Sequence, residues 1–155
     1  MRGRFFAGTY LNQVDAKHRL SVPAAFRETV EARSGSRTVV LAPAEHAPCL
    51  VGYDLTHFET IHAELEQRFA GDFGPGRGNL ARTLFASAET LGYDDNGRII
   101  LSPILIELAG LAGQALFLGA GAYFELWAPP RLLEADGIDL RLQRTVRALL
   151  QAKGG

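Results

Sequence analysis

Two short stretches of the chain repeat the same spacing of charged residues. "VDAKHRLSVP" (14–23) and "YDDNGRIILS" (93–102) each hold an aspartate, three further residues, an arginine and then an alternating apolar run. An aspartate in a turn accepts hydrogen bonds from nearby backbone amides, whereas Lys and Arg side chains bind anions. Each stretch therefore combines a carboxylate that can order a turn with cations that can face an anionic partner.

The two stretches differ in the charge that they would display. The second offers Arg98 beside Asp94 and Asp95, whereas the first is strongly cationic and lies close to further arginines. In a purely structural interpretation the aspartate orders the hairpin and the arginine bridges to it or to the other copy. Both interpretations can hold together, and if either copy binds phosphate we predict that it is the first. Its cations are Lys17, His18 and Arg19, with Arg2 and Arg4 nearby.

Other residue groups lack the partners that their chemistry would need. The single cysteine and three histidines could supply metal ligands, but their His-x-x-Cys spacing has no second pair. The Gly-rich "GPGRGN" (74–79) lacks the Gly-Lys-Ser/Thr ending of a phosphate-binding loop, and the serines have no nucleophile-elbow context. The sequence therefore predicts no enzyme, no metal, no cofactor and no small-molecule substrate. The residues considered as metal ligands are His46, Cys49, His57 and His62.

Composition indicates an ordinary globular chain with an uneven charge. It has 155 residues, is 47% hydrophobic and carries a net charge of −1, which by itself indicates no affinity for nucleic acid or membranes. From Met1 to Arg27, however, five basic residues face one acidic residue, a local net charge of +4, so the remainder is acidic. The lone Cys49 excludes an intramolecular disulfide, and no apolar run suits a signal peptide or membrane span. We expect a cytoplasmic protein without a membrane partner.

Shifting the sequence by 79 positions aligns the two stretches as parts of a longer repeat. Asp15 then falls on Asp94 and Arg19 on Arg98, and the apolar positions that follow also coincide. Each copy reads as strand, tight turn, strand, short helix, strand, turn, strand. With small loop adjustments, "TVVLA" (38–42) matches "ALFLG" (115–119), and "CLVGY" (49–53) matches "YFELW" (123–127).

The turn residues agree with this interpretation. Asn96-Gly97 is a dipeptide favoured where both turn residues need positive φ. His18 takes the Gly97 position in the first copy, and His is among the non-glycine residues that tolerate left-handed geometry. We assign Asp15, Asp94 and Gly97 to shaping the turns.

Helical segments surround the predicted strands. Short helices are predicted at 23–33 and 103–111, the second ending at Gly110, and longer ones at 57–69 and 139–152. Thr56 and Glu59 have capping-box spacing, and "GDFGPGRGN" (71–79) is predicted to be a linker. One copy is too small to close a core alone. Two copies packed about a pseudo-two-fold axis could interleave their strands into one small barrel.

On these residues the sequence resembles the MraZ family, whose members carry two SpoVT-AbrB-type modules in one chain. The resemblance rests on "VDAKHRLSVPAAFRE", "HAPCLVGY", "DNGRIILSPILIELAGL" and "YFELW", which together span most of residues 4–135. Two departures stand out. His18 replaces the usual glycine of the first turn, and Ser102 stands where the second copy often has proline.

The resemblance implies an α+β fold, a duplicated SpoVT-AbrB swapped-hairpin β-barrel with flanking helices. It also implies a ring-like homo-oligomer, an octamer or dodecamer, that binds double-stranded promoter DNA at the nucleoid. Family members typically repress the division and cell-wall gene cluster that encodes them. The expected boundaries are 9–56 and 88–131 for the modules, 57–87 for connecting helices and linker, and 132–155 for the C-terminal helix and tail.

The hypothesis is therefore a DNA-binding transcriptional regulator. The predicted DNA-facing residues are Lys17, His18 and Arg19, supported by Arg2 and Arg4, with Arg98 as the weaker contact of the second copy. A rival interpretation is a scaffold ring without a DNA role that docks partners on its helices at 57–69 and 139–152. A small hydrolase is the third alternative.

Overall fold

The computed structural model describes residues 4–154, which form a mixed α+β fold of eight strands and six α-helices. The strands are β1 (Thr9–Gln13), β2 (Arg19–Ser21), β3 (Thr38–Pro43), β4 (Leu50–Tyr53), β5 (Glu89–Gly92), β6 (Arg98–Ile100), β7 (Gln114–Gly119) and β8 (Phe124–Trp127). The helices are α1 (Ala24–Ser34), α2 (Leu55–Arg68), α3 (Pro75–Ala81), α4 (Pro103–Ala109), α5 (Pro129–Glu134) and α6 (Leu140–Gly154). A π-helical turn, Arg82–Ala86, follows α3.

The strands of the two copies are interleaved. Six of them form an antiparallel sheet in the order β1-β7-β8-β4-β3-β5, and β2 pairs with β6 in a separate ribbon. Exchanging each strand for its counterpart in the other copy reverses this order but leaves it otherwise unchanged, so a pseudo-two-fold axis passes between β4 and β8. Each copy gives its first strand to the other, because β1 pairs with β7 and β5 with β3. Neither copy completes its own sheet.

Strands β3 and β7 are counterparts in the two copies, and the structure matches their residues one position differently from the sequence alignment. In the sheet Val39 is equivalent to Ala115 and Leu41 to Phe117, since all four side chains line the inner core. The sequence comparison instead placed Thr38 on Ala115. A one-residue shift exchanges the two faces of a strand. Four consecutive residues of each strand are buried, so the apolar pattern does not alternate and could not reveal the shift.

The inner face of the sheet packs against α1, α4 and the β2–β6 ribbon. Leu20 and Ile99 are register partners in the ribbon, and both are almost fully buried. Phe26 of α1 lies among the rings of Phe6 and Phe124, with centroid distances of 5.4 and 5.1 Å. Such edge-on and tilted aromatic contacts add to the burial of large apolar side chains. The central cluster therefore draws on both copies and on the segment before β1.

Two further clusters cover the outer face of the sheet, one on each side of the pseudo-two-fold axis. Helix α2 packs on the β3–β4 side, whereas α5 and α6 pack on the side formed by β1, β7 and β8. The first outer cluster is centred on Val40, Ala42, Val51 and Tyr53. The second contains Leu11, Cys49, Leu116, Leu118, Trp127, Leu132 and Val146.

Two helix predictions are corrected by the structure. Helix α2 begins one residue before the predicted capping box, because the fully buried Asp54 is its N-cap and accepts from the His57 amide at 3.1 Å. Arg33 of α1 holds that carboxylate, with Nε 3.2 Å from Oδ1, a contact between distant residues. The predicted linker at 71–79 is wrong in its second half, since α3 starts at Pro75, a residue suited to a first helical turn.

The ends of α4 follow the sequence signals. Gly110 terminates the helix with a left-handed φ of 66°, as predicted. Ser102, the departure from the family pattern, is the N-cap, and its Oγ accepts from the Leu105 amide at 3.2 Å. In residues 4–154 no helix has both the length and the apolar character needed to cross a membrane.

The central pairing of β4 and β8 generates the first prediction. Gly52 lies opposite Phe124, and a Cβ at this glycine would collide with the buried phenyl ring. Because overpacking a core costs about 1–3 kcal/mol, we expect Gly52→Ala to lower the melting temperature by several degrees. Gly113→Ala is the control, since a Cβ there meets nothing within 4 Å. Equal melting temperatures for the two variants in thermal denaturation would contradict this packing.

Candidate nucleic-acid interface

The Asp15 side chain organises the turn between β1 and β2, called here turn 1 (residues 15–19). Its Oδ1 accepts from the backbone amides of Lys17 and Arg19, each at 2.9 Å. Its Oδ2 accepts from Arg19 Nε at 2.7 Å, and its backbone carbonyl accepts from the His18 amide at 2.9 Å. These bonds fix the backbone of the turn and leave the side chains of Lys17 and His18 exposed at its tip.

The turn between β5 and β6, called here turn 2 (residues 94–98), has the same geometry. Asp94 Oδ1 accepts from the amides of Asn96 and Arg98, each at 2.9 Å, and Oδ2 accepts from Arg98 Nε at 3.1 Å. The Gly97 amide donates to the Asp94 carbonyl at 2.9 Å. The repeated Asp-x-x-x-Arg spacing thus corresponds to one repeated hydrogen-bonded structure.

Both turn carboxylates are stabilised in their charged form. The pKa of Asp15 lies below the ordinary aspartate value, chiefly because the carboxylate accepts from the Arg19 amide. The pKa of Asp94 is lowered in the same way, with the Arg98 amide as the main cause. A lowered pKa means that the carboxylate stabilises the turn at neutral pH. This contribution is lost as the pH falls through the lowered pKa.

Each turn depends on a residue with left-handed backbone geometry. His18 has a φ of 62° and is the only non-glycine residue with positive φ in residues 4–154. Gly97, its counterpart, has a φ of 78°, and the Arg27 side chain occupies the space where a Cβ would project. The sequence prediction that His18 adopts the glycine conformation is therefore confirmed, and the imidazole is displayed where turn 2 has no side chain.

Hydrogen bonds across the pseudo-two-fold axis connect the two turns. The Leu101 amide donates to the His18 carbonyl, and the Val22 amide donates to the Gly97 carbonyl, both at 2.8 Å. Because β2 and β6 are antiparallel, these bonds place the turns at opposite ends of the ribbon. A three-residue strand spans roughly 10 Å, so the tips lie at least about that far apart.

Turn 1 retains free positive charge, whereas turn 2 does not. Neither Lys17 nor His18 forms an ion pair within residues 4–154, and the Arg19 side chain remains 34% exposed beside Asp15. In turn 2, Arg98 contacts Asp94, and Asp95 is contacted by Arg37 Nη1 at 3.0 Å. The duplication therefore conserves the turn geometry but gives the two copies different charges.

Of the two supporting arginines predicted from the sequence, the structure describes Arg4, and it lies away from turn 1. Arg4 is exposed and lies on the N-terminal side of β1, close to Phe6, which pairs with Gly121. Turn 1 follows the other end of β1. The five residues of β1 alone span roughly 17 Å, so the structure does not bring Arg4 together with Lys17. Arg2 lies outside the described residues.

Sequence reasoning missed three side chains that support the turns. Arg37 donates to the Asp94 carbonyl as well as to Asp95, and Arg27 Nε donates to the Val22 carbonyl at 3.1 Å beside Gly97. Asn12 of β1 donates from Nδ2 to the Ser21 carbonyl at 2.7 Å, which joins β1 to β2. These residues stand outside the repeated motif, and no sequence signal pairs them with it.

The residues considered as metal ligands do not converge. Within residues 4–154 no group of three or more His, Cys, Asp or Glu side chains is arranged to hold a metal ion. Cys49 is buried beneath α5 and α6, and burial raises the pKa of its thiol to about 12. The thiol therefore stays protonated at neutral pH.

Comparisons with known proteins place these features in a family. The model of the family described as "MraZ protein, putative antitoxin-like" matches residues 5–72 and 84–132, which include both turns and all eight strands. A relative from Gluconobacter oxydans named "Transcriptional regulator MraZ" is 35% identical over 83% of this chain and 79% of its own length. Relatives with the same name from Rhodospirillum rubrum and Methylobacillus flagellatus are 33% and 36% identical, over 85% and 80% of this chain and 84% and 80% of theirs.

The role of the turn carboxylates can be tested within turn 2, which offers its own control. Asp94→Asn removes the charge that three donors share, so we expect faster hydrogen exchange at the amides of Asn96 and Arg98. Asp95→Asn should leave both exchange rates nearly unchanged, because that carboxylate contacts only Arg37 outside the turn. Acidification of the wild-type protein through the lowered pKa of Asp94 should reproduce the effect. Equal exchange in both variants would show that Asp94 does not order the turn.

Proposed function

Because this chain belongs to the MraZ family, we propose that it is a transcriptional regulator that binds promoter DNA through turn 1. The observation that carries the proposal is an ordered turn whose tip exposes the side chains of Lys17 and His18, neither of them in an ion pair within residues 4–154, while Asp15 is occupied within the turn. Lys and Arg contacts to phosphates supply most of the affinity of proteins for DNA. Preordered contacts also reduce the conformational entropy that binding would otherwise cost.

We assign different roles to the residues of turn 1. Lys17 and His18 are proposed to contact DNA directly, since both are exposed and neither forms an ion pair within residues 4–154. Arg19 retains its terminal Nη groups for a base or phosphate while its Nε bonds to Asp15. An arginine that donates two hydrogen bonds to guanine contributes about 1–3 kcal/mol of discrimination. Arg98 is proposed as a weaker contact of the second copy, and Arg2 and Arg4 as supporting phosphate contacts.

We infer that the fold is the duplicated swapped-hairpin barrel of the SpoVT-AbrB type. The exchange of β1 and β5 between the copies, and the β2–β6 ribbon that joins them, support this assignment. The module boundaries proposed from the sequence remain 9–56 and 88–131, with connecting helices at 57–87 and the C-terminal helix and tail from 132. Each module then contains one turn, and the two modules act as one folding unit.

We propose further that the protein assembles into a ring of identical chains. An apolar face on the second copy supports this proposal: Ile104 and Leu108 lie one turn apart on α4 and are 51% and 38% exposed, and Ile100 of β6 is 65% exposed. The corresponding residues of the first copy are Ser21, Ala25 and Thr29. Thr29 is buried, and its hydroxyl lies 3.2 Å from the Phe5 carbonyl and 3.1 Å from the Ala25 carbonyl, so the N-terminal segment covers the Thr29 end of that face. The apolar face of the second copy has no such cover in residues 4–154, which suits a contact between chains.

A ring would compensate for the weak affinity of a single turn 1 for DNA. One chain has a net charge of −1, and turn 1 clusters only Lys17, His18 and Arg19. Several turns on one assembly engage repeated promoter elements intramolecularly, which raises affinity without new contacts. By analogy with other family members, the proposed target is the promoter of the division and cell-wall gene cluster that encodes the protein. The proposed effect is repression, exerted in the cytoplasm at the nucleoid.

DNA binding is tested by the salt dependence of affinity for the duplex upstream of the protein's own gene cluster. Lys17→Ala should reduce the slope of log affinity against log salt by about one unit for each turn 1 engaged, because fewer counterions are released. Asn96→Ala, at the exposed tip of turn 2, is the uncharged control and should keep the wild-type slope. A wild-type slope for the Lys17 variant would remove Lys17 from the interface. Failure of the assembled wild-type protein to bind any duplex would favour the scaffold alternative.

The proposed contact between chains makes a separate prediction. The double variant Ile104→Glu/Leu108→Glu should shift the mass measured by light scattering from that of an assembly towards that of one chain, since charge is disfavoured in an apolar interface. Leu140→Glu, which alters a 70% exposed leucine on α6, should retain the wild-type mass. Circular dichroism of both variants checks that the fold is intact. An unchanged mass for the double variant would place the interface elsewhere.

A further inference from the structure

Positive charge is concentrated at two separate places in the sequence. Residues 1–27 have a local net charge of +4, and residues 140–154 of α6 carry four basic residues and no acidic ones, which is also +4. Between them, residues 28–139 hold sixteen acidic and seven basic residues, a net charge of −9. The near-neutral total therefore conceals two basic segments joined by an acidic one.

The fold packs the basic helix α6 against the strand that leads into turn 1. Helix α6 packs against β1, and Val146 lies in the same buried cluster as Leu11. Strand β1 continues directly into turn 1, so α6 covers the strand that leads to Lys17. With fifteen residues α6 is about 22 Å long, which is comparable to β1 and turn 1 together.

Two arginines of α6 have free charge on the side of the helix away from this packing. Arg144 and Arg147 are one turn apart and exposed, and neither forms a hydrogen bond or ion pair within residues 4–154. Arg141, in contrast, is held by Asp139, with Nη2 3.0 Å from Oδ2 and Nε 3.2 Å from Oδ1. Like charges one turn apart repel and slightly destabilise a helix, so this pair contributes nothing evident to the fold.

The packing of α6 favours one kind of anionic partner. An amphipathic basic helix binds membranes by inserting its apolar face between lipids. Here that face is occupied, because Leu142, Val146, Leu149 and Leu150 pack on the second outer cluster of the sheet. Only the charged face remains available, which suits a phosphate backbone that is bound from its surface.

We propose that Arg144 and Arg147 form a second phosphate-binding surface, which contacts the DNA backbone beside the base pairs reached by turn 1. This inference rests on the proposed DNA-binding function and extends it to residues beyond the segments that the family model matches. The surface supplies affinity that is independent of base sequence, because phosphate contacts carry no sequence information. Turn 1 then supplies discrimination, and α6 lengthens the footprint on the duplex.

The test compares Arg144→Gln/Arg147→Gln with Arg141→Gln, which removes a charge already paired with Asp139. Binding is measured on the promoter duplex and on an unrelated duplex at about 50 and 200 mM salt. The double variant loses two phosphate contacts, which should lower the slope of log affinity against log salt by about 1.8 units for each α6 engaged. Wild type should therefore bind more tightly than the double variant by a ratio that is roughly tenfold smaller at the higher salt concentration than at the lower one. The double variant should lose the same factor of affinity on the promoter duplex and on the unrelated duplex. Arg141→Gln should change the salt slope less than the double variant does.

Each outcome decides between distinct possibilities. A wild-type slope for the double variant, when Lys17→Ala reduces the slope, would overturn the α6 surface and leave the proposed function intact. If wild type binds neither duplex, the proposed function itself fails. Vesicles of anionic phospholipid provide the last comparison: flotation of wild type that is lost in the double variant, with DNA binding unchanged, would assign α6 to a membrane surface instead. Melting temperatures equal to wild type show that the variants are folded.

Discussion

The pairing of β2 with β6 across the pseudo-two-fold axis is the interaction on which the rest of the structure depends. Leu20 and Ile99 meet there at the centre of the core, and the carbonyls of His18 and Gly97 accept amides from the opposite copy. Each copy also needs the other to complete its sheet. Since neither copy can satisfy its backbone alone, the two must fold as one cooperative unit. The same bonds position the turns, so the proposed binding surface exists only when both copies are assembled.

Duplication has left the geometry of the two copies alike while their surfaces have diverged. Both turns use an aspartate to bind two amides and an arginine, but turn 1 also exposes Lys17 and His18, which form no ion pair within residues 4–154. The second copy instead exposes Ile104 and Leu108, whose counterparts in the first copy are smaller and more polar. We interpret this as a division of roles, with the first copy facing DNA and the second facing a neighbouring chain. Helix α6 adds charge beside β1, the strand that leads into turn 1, without altering the repeat.

Sequence patterns were reliable where the cause of a structure is local. The turn aspartates, the left-handed His18 and the Gly110 helix end all depend on residues within about five positions of one another. Sequence patterns gave wrong predictions where contacts between distant residues determine the local structure. Arg33 secures Asp54 as the α2 cap ahead of the predicted capping box, and the shift between β3 and β7 was hidden because both faces of each strand are buried. The Gly-rich 71–79 segment likewise contains the start of α3, which its composition did not indicate.

By itself the sequence determined the duplication, the order of the strands and the two Asp-x-x-x-Arg turns. The duplication follows from the similarity of the two copies at an offset of 79 positions, and the strands and turns from spacing and backbone preference over a few residues. Only the tertiary structure decided which cations act together. It separated Arg4 from Lys17 at opposite ends of β1, neutralised turn 2 through Arg37, and placed α6 against β1 more than a hundred residues away along the chain. The physical reason is that charges act through space. Their neighbours are set by strand pairing and core packing between distant segments, which no local pattern records.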